Sequence, residues 1–187
     1  MSCDDIMTTF SDRYLRPITT NEALEHYYDG VDSVRGRFKA VSDGDKMGIV
    51  SVGDHPVAMT DFRFSNVMVE RWDGGLFFVQ DADSGKWGAY SITFPRKNRR
   101  EERRGIDGKI VGLKEILPTI ADEIFETELY TDCSPTTFWV ARQGDKIGII
   151  TRWNATDIIY DSFSGNEDDI KVTLFQNGIS AKAITTF

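Results

Sequence analysis

The sequence predicts a mainly β chain of repeated antiparallel hairpin units, accompanied by one or two short helices. Three observations carry this prediction. A Lys-x-Gly triplet occurs at Lys46-Met47-Gly48, Lys86-Trp87-Gly88 and Lys146-Ile147-Gly148. An Asp closes an apolar or β-prone stretch at Asp29, Asp61, Asp122 and Asp161. Turn signals with glycine separate short β-rich runs ahead of each triplet.

The two markers keep phase with one another. Lys46 to Asp61 is 15 residues, and Lys146 to Asp161 is also 15. Lys86 to Asp122 is 36, a surplus of 21 residues in the middle unit. Removing that surplus brings the lysine spacings to 40 and 39. A unit of about 40 residues therefore recurs, and one copy carries an insertion near residues 95–108. The whole of 1–187 reads as one β-repeat domain, with no linker to divide it.

Along the chain, residues 19–28 (TTNEALEHYY) predict a short helix with Thr20 or Asn21 as N-cap. The first hairpin pairs GRFKAV with GIVSV across Asp43-Gly44. The second pairs LFFVQ with GAYSITF across Asp83-Ser84-Gly85, and the third pairs TFWVARQ with GIITRW across Gln143-Gly144. Asp-Gly between such runs suggests a type I′ turn, whose two central residues need positive φ. Residues 121–130 (ADEIFETELY) have apolar positions at helical spacing, so they suit either a helix or the segment that links two units. A fourth hairpin, VTLFQ and ISAKAI around Asn177-Gly178, has the strongest turn and no triplet. Within each triplet, strict alternation turns Met47, Trp87 or Ile147 to one face. The lysine then lies on the other face with its ammonium in solvent. The glycine admits a neighbouring aromatic or backbone, or permits a bulge.

These motifs resemble the bacterial WG (KWG) repeat. Lys86-Trp87-Gly88 matches its triplet literally, and the other two triplets substitute another large apolar residue. Tyr28-Asp29 and Tyr160-Asp161 match its second marker. The resemblance spans roughly residues 25–185. It implies a propeller-like arrangement or an open, solenoid-like repeat sheet. It implies no catalytic activity and supplies no catalytic residues.

Composition narrows the function classes. Hydrophobic residues make up 40% and charged residues 28%, as in a soluble globular protein. No apolar run approaches the length of about 18 residues needed to span a membrane. The N-terminus lacks the basic and apolar regions of a signal peptide, so a cytoplasmic location is expected, with Cys3 and Cys133 as reduced thiols. Net charge is −8, which argues against general affinity for nucleic acid. The charge is uneven, however. Residues 95–105 hold six basic and two acidic side chains, a local +4, which leaves the rest near −12.

Arg96, Lys97, Arg99, Arg100, Arg103 and Arg104 are therefore the candidate partner-binding residues. Guanidinium forks suit carboxylate or phosphate, and the alternative is a solvated surface loop. His26 and His55 sit in no metal or nucleophile motif, and no phosphate-cradling glycine loop is present. The recurring aspartates suit capping of turns, or convergence on a hard cation such as Ca²⁺. EF-hand-like ligand spacing is missing, so no metal and no cofactor is expected. The expected function is a non-enzymatic scaffold that binds another protein. An immunity-type, toxin-neutralising protein and a carboxylate-dependent hydrolase or lyase remain as alternatives. The degenerate last unit leaves a sheet edge to cover, by a homodimer or by an open curved sheet with a helix over one edge.

Overall fold

The computed structural model describes residues 30–32, 38–51, 57–70, 75–93, 112–130, 135–166 and 170–185. These residues form antiparallel sheets, and no helix occurs among them. The expected helix at residues 19–28 lies outside the described residues. Among the described residues, no helix is long and apolar enough to cross a membrane.

The first group of strands is β1 (Gly30–Asp32), β2 (Phe38–Asp43), β3 (Lys46–Ser51) and β4 (Val57–Ala58), each pairing with the next. The second is β5 (Phe64–Val69), β6 (Leu76–Asp81), β7 (Trp87–Thr93) and β8 (Gly112–Ala121), paired in the same order. One pair, Met47 with Phe64, joins the two groups into an eight-stranded sheet. A third group holds β9 (Glu123–Tyr130), β10 (Pro135–Gln143) and β11 (Lys146–Ile150). Its fourth element is the returning segment 155–160, held by bridges from Ile147 to Tyr160 and from Ile150 to Ala155. The last group has β12 (Ser162–Asn166), β13 (Lys171–Gln176) and β14 (Ile179–Thr185). None of the sheets closes on itself.

The turns follow the glycines, with one correction. In the first and third hairpins the central residues are Gly44-Asp45 and Gly144-Asp145, and only the glycine has positive φ, 67° and 61°. That is the type II′ pattern, not the expected type I′. Asn177 and Gly178 both have positive φ, 53° and 74°, as type I′ demands. The second turn is longer. Asp81 N–H donates to the Lys86 carbonyl at 2.9 Å, and Gly85 N–H donates to the Asp81 carbonyl at 2.9 Å.

Of the two readings open for residues 121–130, the helix is excluded: Glu123 to Tyr130 form β9, which pairs with β10 over eight successive positions. The GIITRW run is shorter as a strand than its composition suggests. β11 stops at Ile150, and residues 151–154 make a tight bend in which Thr151 N–H donates to the Asn154 carbonyl at 2.8 Å. Part of the 21-residue surplus builds β8, the longest strand at ten residues.

The groups stack face to face through three apolar layers. Phe38, Ala40 and Ile49 meet Phe64, Phe77 and Val79. Leu76, Phe78 and Ala89 meet Ala141 and Ile150. Phe138, Val140 and Ile149 meet Val172 and Leu174. An aromatic pair crosses each layer: Phe38 with Phe77 at 5.8 Å, Phe78 with Trp139 at 4.6 Å, and Phe138 with Phe163 at 5.8 Å. Such pairs add about 0.5–1.5 kcal/mol beyond burial. Strand β6 is apolar at four consecutive positions because alternation sends Leu76 and Phe78 into one layer and Phe77 and Val79 into another. Strand β13 buries only Val172 and Leu174, on one face. Its other face sets Ser162 and Ser164 of β12 beside Thr173 and the half-buried Phe175.

The triplets occupy equivalent register positions. Met47, Trp87 and Ile147 pair with Ser42, Gln80 and Arg142, each one step beyond the turn. Met47 and Trp87 are half-buried and Ile147 is buried, each against the layer of its own unit. The glycines face Val41, Val79 and Ala141 across the hairpin, and each is there because something approaches closely. A Cβ on Gly88 would lie 2.8 Å from the Leu117 carbonyl oxygen, and one on Gly148 would lie 2.9 Å from that of Asp157. A Cβ on Gly48 would instead meet the Phe62 ring at 3.1 Å. Opposite Gly88 the ladder shifts register, and Pro118, which has no N–H to give, sits at that irregularity.

These contacts rank three substitutions. Gly88→Ala and Gly148→Ala press on backbone that cannot yield alone, and each should cost about 1–3 kcal/mol, the usual range for overpacking. Gly48→Ala presses on a side chain that can rotate, and should cost less than either. Urea midpoints of the three variants check this order.

Candidate functional site

The recurring ionisable residues meet at the turn end of the sheets. Lys86 Nζ donates to Asp122 Oδ1, and Lys146 Nζ donates to Asp161 Oδ1. The second oxygen of each aspartate reaches forward into the next hairpin. Asp122 Oδ2 accepts the Gly144 N–H at 2.7 Å, and Asp161 Oδ2 accepts the Asn177 N–H. One carboxylate thus binds the lysine of its own unit and the turn of its successor. The lysine ammonium groups stay solvent-accessible, as alternation sets the face, and each also meets a carboxylate within reach on that face.

The first unit departs from this pattern, and the longer second turn explains why. Asp81 Oδ1 accepts the N–H groups of Asp83 and Ser84, at 3.2 and 2.8 Å, and the Ser84 hydroxyl at 2.9 Å. That turn is capped from within, so it does not call on Asp61. Lys46 Nζ instead lies 3.9 Å from Asp83 Oδ1.

The electrostatics follow from these bonds. Asp122 is held below the usual carboxylate range, first by the Lys86 hydrogen bond and then by the Gly144 N–H. Asp161 is lowered likewise by Lys146 and then by the Asn177 N–H, while Asp161 raises the Lys146 ammonium. Asp81 is lowered chiefly by the Ser84 N–H. All are solvent-accessible, so salt screens the pairs. Among the described residues, no group of three or more His, Cys, Asp or Glu side chains is placed to hold a metal ion.

A second polar group lies farther along the sheet. Tyr90 Oη donates to Glu115 Oε2 at 2.9 Å, and Arg63 Nη2 lies 3.7 Å from the same oxygen. Partial burial, followed by that carboxylate, pushes the Tyr90 phenol up. These residues belong to no sequence motif, and only the ladder brings them together.

The opposite end of the sheets carries the connections between the third and fourth elements of the first three groups. Arg96, Lys97, Arg99, Arg100, Arg103 and Arg104 fall in such a connection and lie outside the described residues, as do His26, His55, Asp29, Cys3 and Cys133. The described roots of that connection, Thr93 and Gly112, pair with each other. Beside them is the bend at residues 151–154. The Ser91 hydroxyl donates to the Arg152 carbonyl at 2.6 Å, and Lys114 Nζ donates to Asn154 Oδ1 at 3.4 Å. The Arg152 guanidinium lies 4.6 Å from the Trp153 ring centroid. Treating GIITRW as strand concealed this bend; Arg-Trp-Asn just past the apolar run was the available signal.

No protein-family model, curated protein or solved structure matches this chain.

The linked carboxylates make stability depend on acid. A carboxyl lowered in the folded state contributes stability above its unfolded pKa of about 3.9 and loses it as pH falls through the lower folded value. Asp122→Asn and Asp161→Asn should therefore lower the melting temperature at pH 7. The gap to the parent protein should narrow steadily below about pH 4. Thermal melts from pH 7 to pH 2.5, at low and high salt, measure this.

Proposed function

We propose that the chain is a non-enzymatic interaction module, a run of WG-repeat-like units in a propeller-like or open arc that presents its connections to a protein partner. One observation carries this. The residues that recur, and so look chemical in the sequence, serve construction: Lys86 and Lys146 neutralise Asp122 and Asp161, whose free oxygens cap the next turn. The triplet glycines make room for crossing backbone or an aromatic ring. What differs from unit to unit is the connection at the other end, from residues 52–56 in the first to the inserted basic run in the second. A rigid repeat that varies in its connections suits recognition, because loops on a fixed scaffold change without cost to the core.

The basic run is the main contact in this proposal. With the rest of the chain near −12, its six cations form a local field of opposite sign that steers an acidic partner. Replacing Arg96, Lys97, Arg99, Arg100, Arg103 and Arg104 with Gln tests it. The variant should melt within about 2 °C of the parent protein, as surface changes do. It should lose the partner that the parent retains in quantitative affinity capture. Recovery of the same proteins in the same amounts by both would overturn the role of the run. Turnover of a small substrate by the purified chain would overturn the module itself.

A further inference from the structure

The turn that closes the last hairpin holds a reactive pair. Asn177 precedes Gly178, no other asparagine of the chain precedes a glycine, and every residue from Gln176 to Ala183 is exposed. An asparagine side-chain amide is open to attack by the backbone nitrogen that follows it, which closes a five-membered ring. A side chain on the following residue normally obstructs that approach. Gly178 has none, and no atom beyond its chain neighbours lies within 4 Å of where a Cβ would stand. Neither the Asn177 side-chain amide nor the Gly178 N–H has a hydrogen-bond partner among the described residues.

The fold also restrains this pair. Asn177 sits in the left-handed region at φ 53°, and ring closure needs a different ψ, so the turn must open before it reacts. The pairing of Gln176 with Ile179 opposes opening, and so does the hydrogen bond from the Asn177 N–H to Asp161 Oδ2. Asp161 is held in turn by Lys146 Nζ, so the clasp reaches back to the third hairpin. Little else secures the turn. Ile179 is 72% exposed, and a register shift between Leu174 and Phe175 interrupts the ladder just behind it. Local opening at such an end costs less than global unfolding.

We propose that Asn177-Gly178 is a site of spontaneous deamidation whose product loosens the last hairpin from the stack. The Gly178 nitrogen bonds to Asn177 Cγ, the bond from Cγ to Nδ2 breaks, and ammonia leaves with the proton that Gly178 gives up. Water then opens the cyclic imide. Addition at Cγ leaves an aspartyl residue, whereas addition at the backbone carbonyl leaves an isoaspartyl linkage that runs through the former side chain. Either product sets a new carboxylate close to that of Asp161. The isoaspartyl linkage also adds a methylene to the backbone of a two-residue turn, and the type I′ geometry that fixes the register of β13 against β14 is lost. Val172, Leu174 and Ile184 of this hairpin pack in the layer that holds Phe138, so the change reaches that layer.

The test incubates the full chain at mildly alkaline and mildly acidic pH and follows its peptides by mass spectrometry. The peptide with Asn177 should gain the mass of amide-to-acid conversion, faster in alkali because attack needs the Gly178 nitrogen without its proton. Asn66 and Asn154, which precede Val67 and Ala155, should keep their amides over the same period. Asn177→Gln, which would need a six-membered ring, should lose the conversion, and Asp161→Ala should hasten it. Circular dichroism checks that both variants are folded. In the aged parent protein, hydrogen exchange should show lost protection in β13 and β14 and retained protection in β6. Aged Asn177→Gln should keep protection in all three. An Asn177 amide that persists as long as that of Asn154 overturns the site. Equal conversion rates in the parent and folded Asp161→Ala overturn the clasp. Conversion that leaves β13 and β14 as protected as in Asn177→Gln overturns the loosening of the hairpin.

Discussion

A three- or four-stranded antiparallel group with apolar side chains on both faces cannot stand alone in water. Leu76, Phe77, Phe78 and Val79 make this plain, since four consecutive residues of one strand divide between two layers. The strand is buried only when a neighbouring group covers each face. Every layer depends on that requirement, and each meets it with an aromatic contact that crosses between groups. Burial of one such ring is worth roughly 1.5–3 kcal/mol, so the layers outweigh any single polar contact at the rim.

The polar contacts direct the stacking. Apolar layers are tolerant of sliding, but a carboxylate that must meet a lysine behind it and a turn N–H ahead of it is not. Asp122 and Asp161 each satisfy both, which sets each hairpin against the one before it. Exposed ion pairs contribute little to stability on average. Their value here lies in position: each holds a hairpin turn where the next layer needs it. The second turn shows that the demand can be met otherwise, through Asp81 and an internal cap.

Much of this was legible in the sequence. The turn glycines, the alternation around Met47, Trp87 and Ile147, and the need for glycine at a close approach all follow from local rules of strand geometry. The spacing of Lys146 and Asp161 recurs in Lys46 and Asp61. It did not reveal which pairs touch, because contact depends on how long the intervening turn is. Residues 121–130 stayed open between two readings for a related reason. Their Glu-rich, helically spaced pattern is overruled by a ladder of eight pairs with β10. Tyr90, Glu115 and Arg63, and likewise Ser91 and Arg152, come together only through cross-strand neighbours that no motif announces.

The β12–β14 group differs from the others on its outer face and in its triplet. Where the triplets elsewhere begin with lysine, this hairpin has Ile179, paired with Gln176 just as Lys146 pairs with Gln143. Ala181 follows where the others have glycine, so a Cβ stands where a crossing backbone would approach. The outer face of this group sets Ser162, Ser164 and Thr173 beside one large apolar side chain, Phe175, whereas Phe138 and Val140 are buried against a neighbouring group. The second group buries apolar side chains on both faces, whereas β13 buries Val172 and Leu174 on one. Loss of the β12–β14 group would therefore uncover Phe138 and its layer to solvent, so this hairpin acts as a cover for the sheet beneath it.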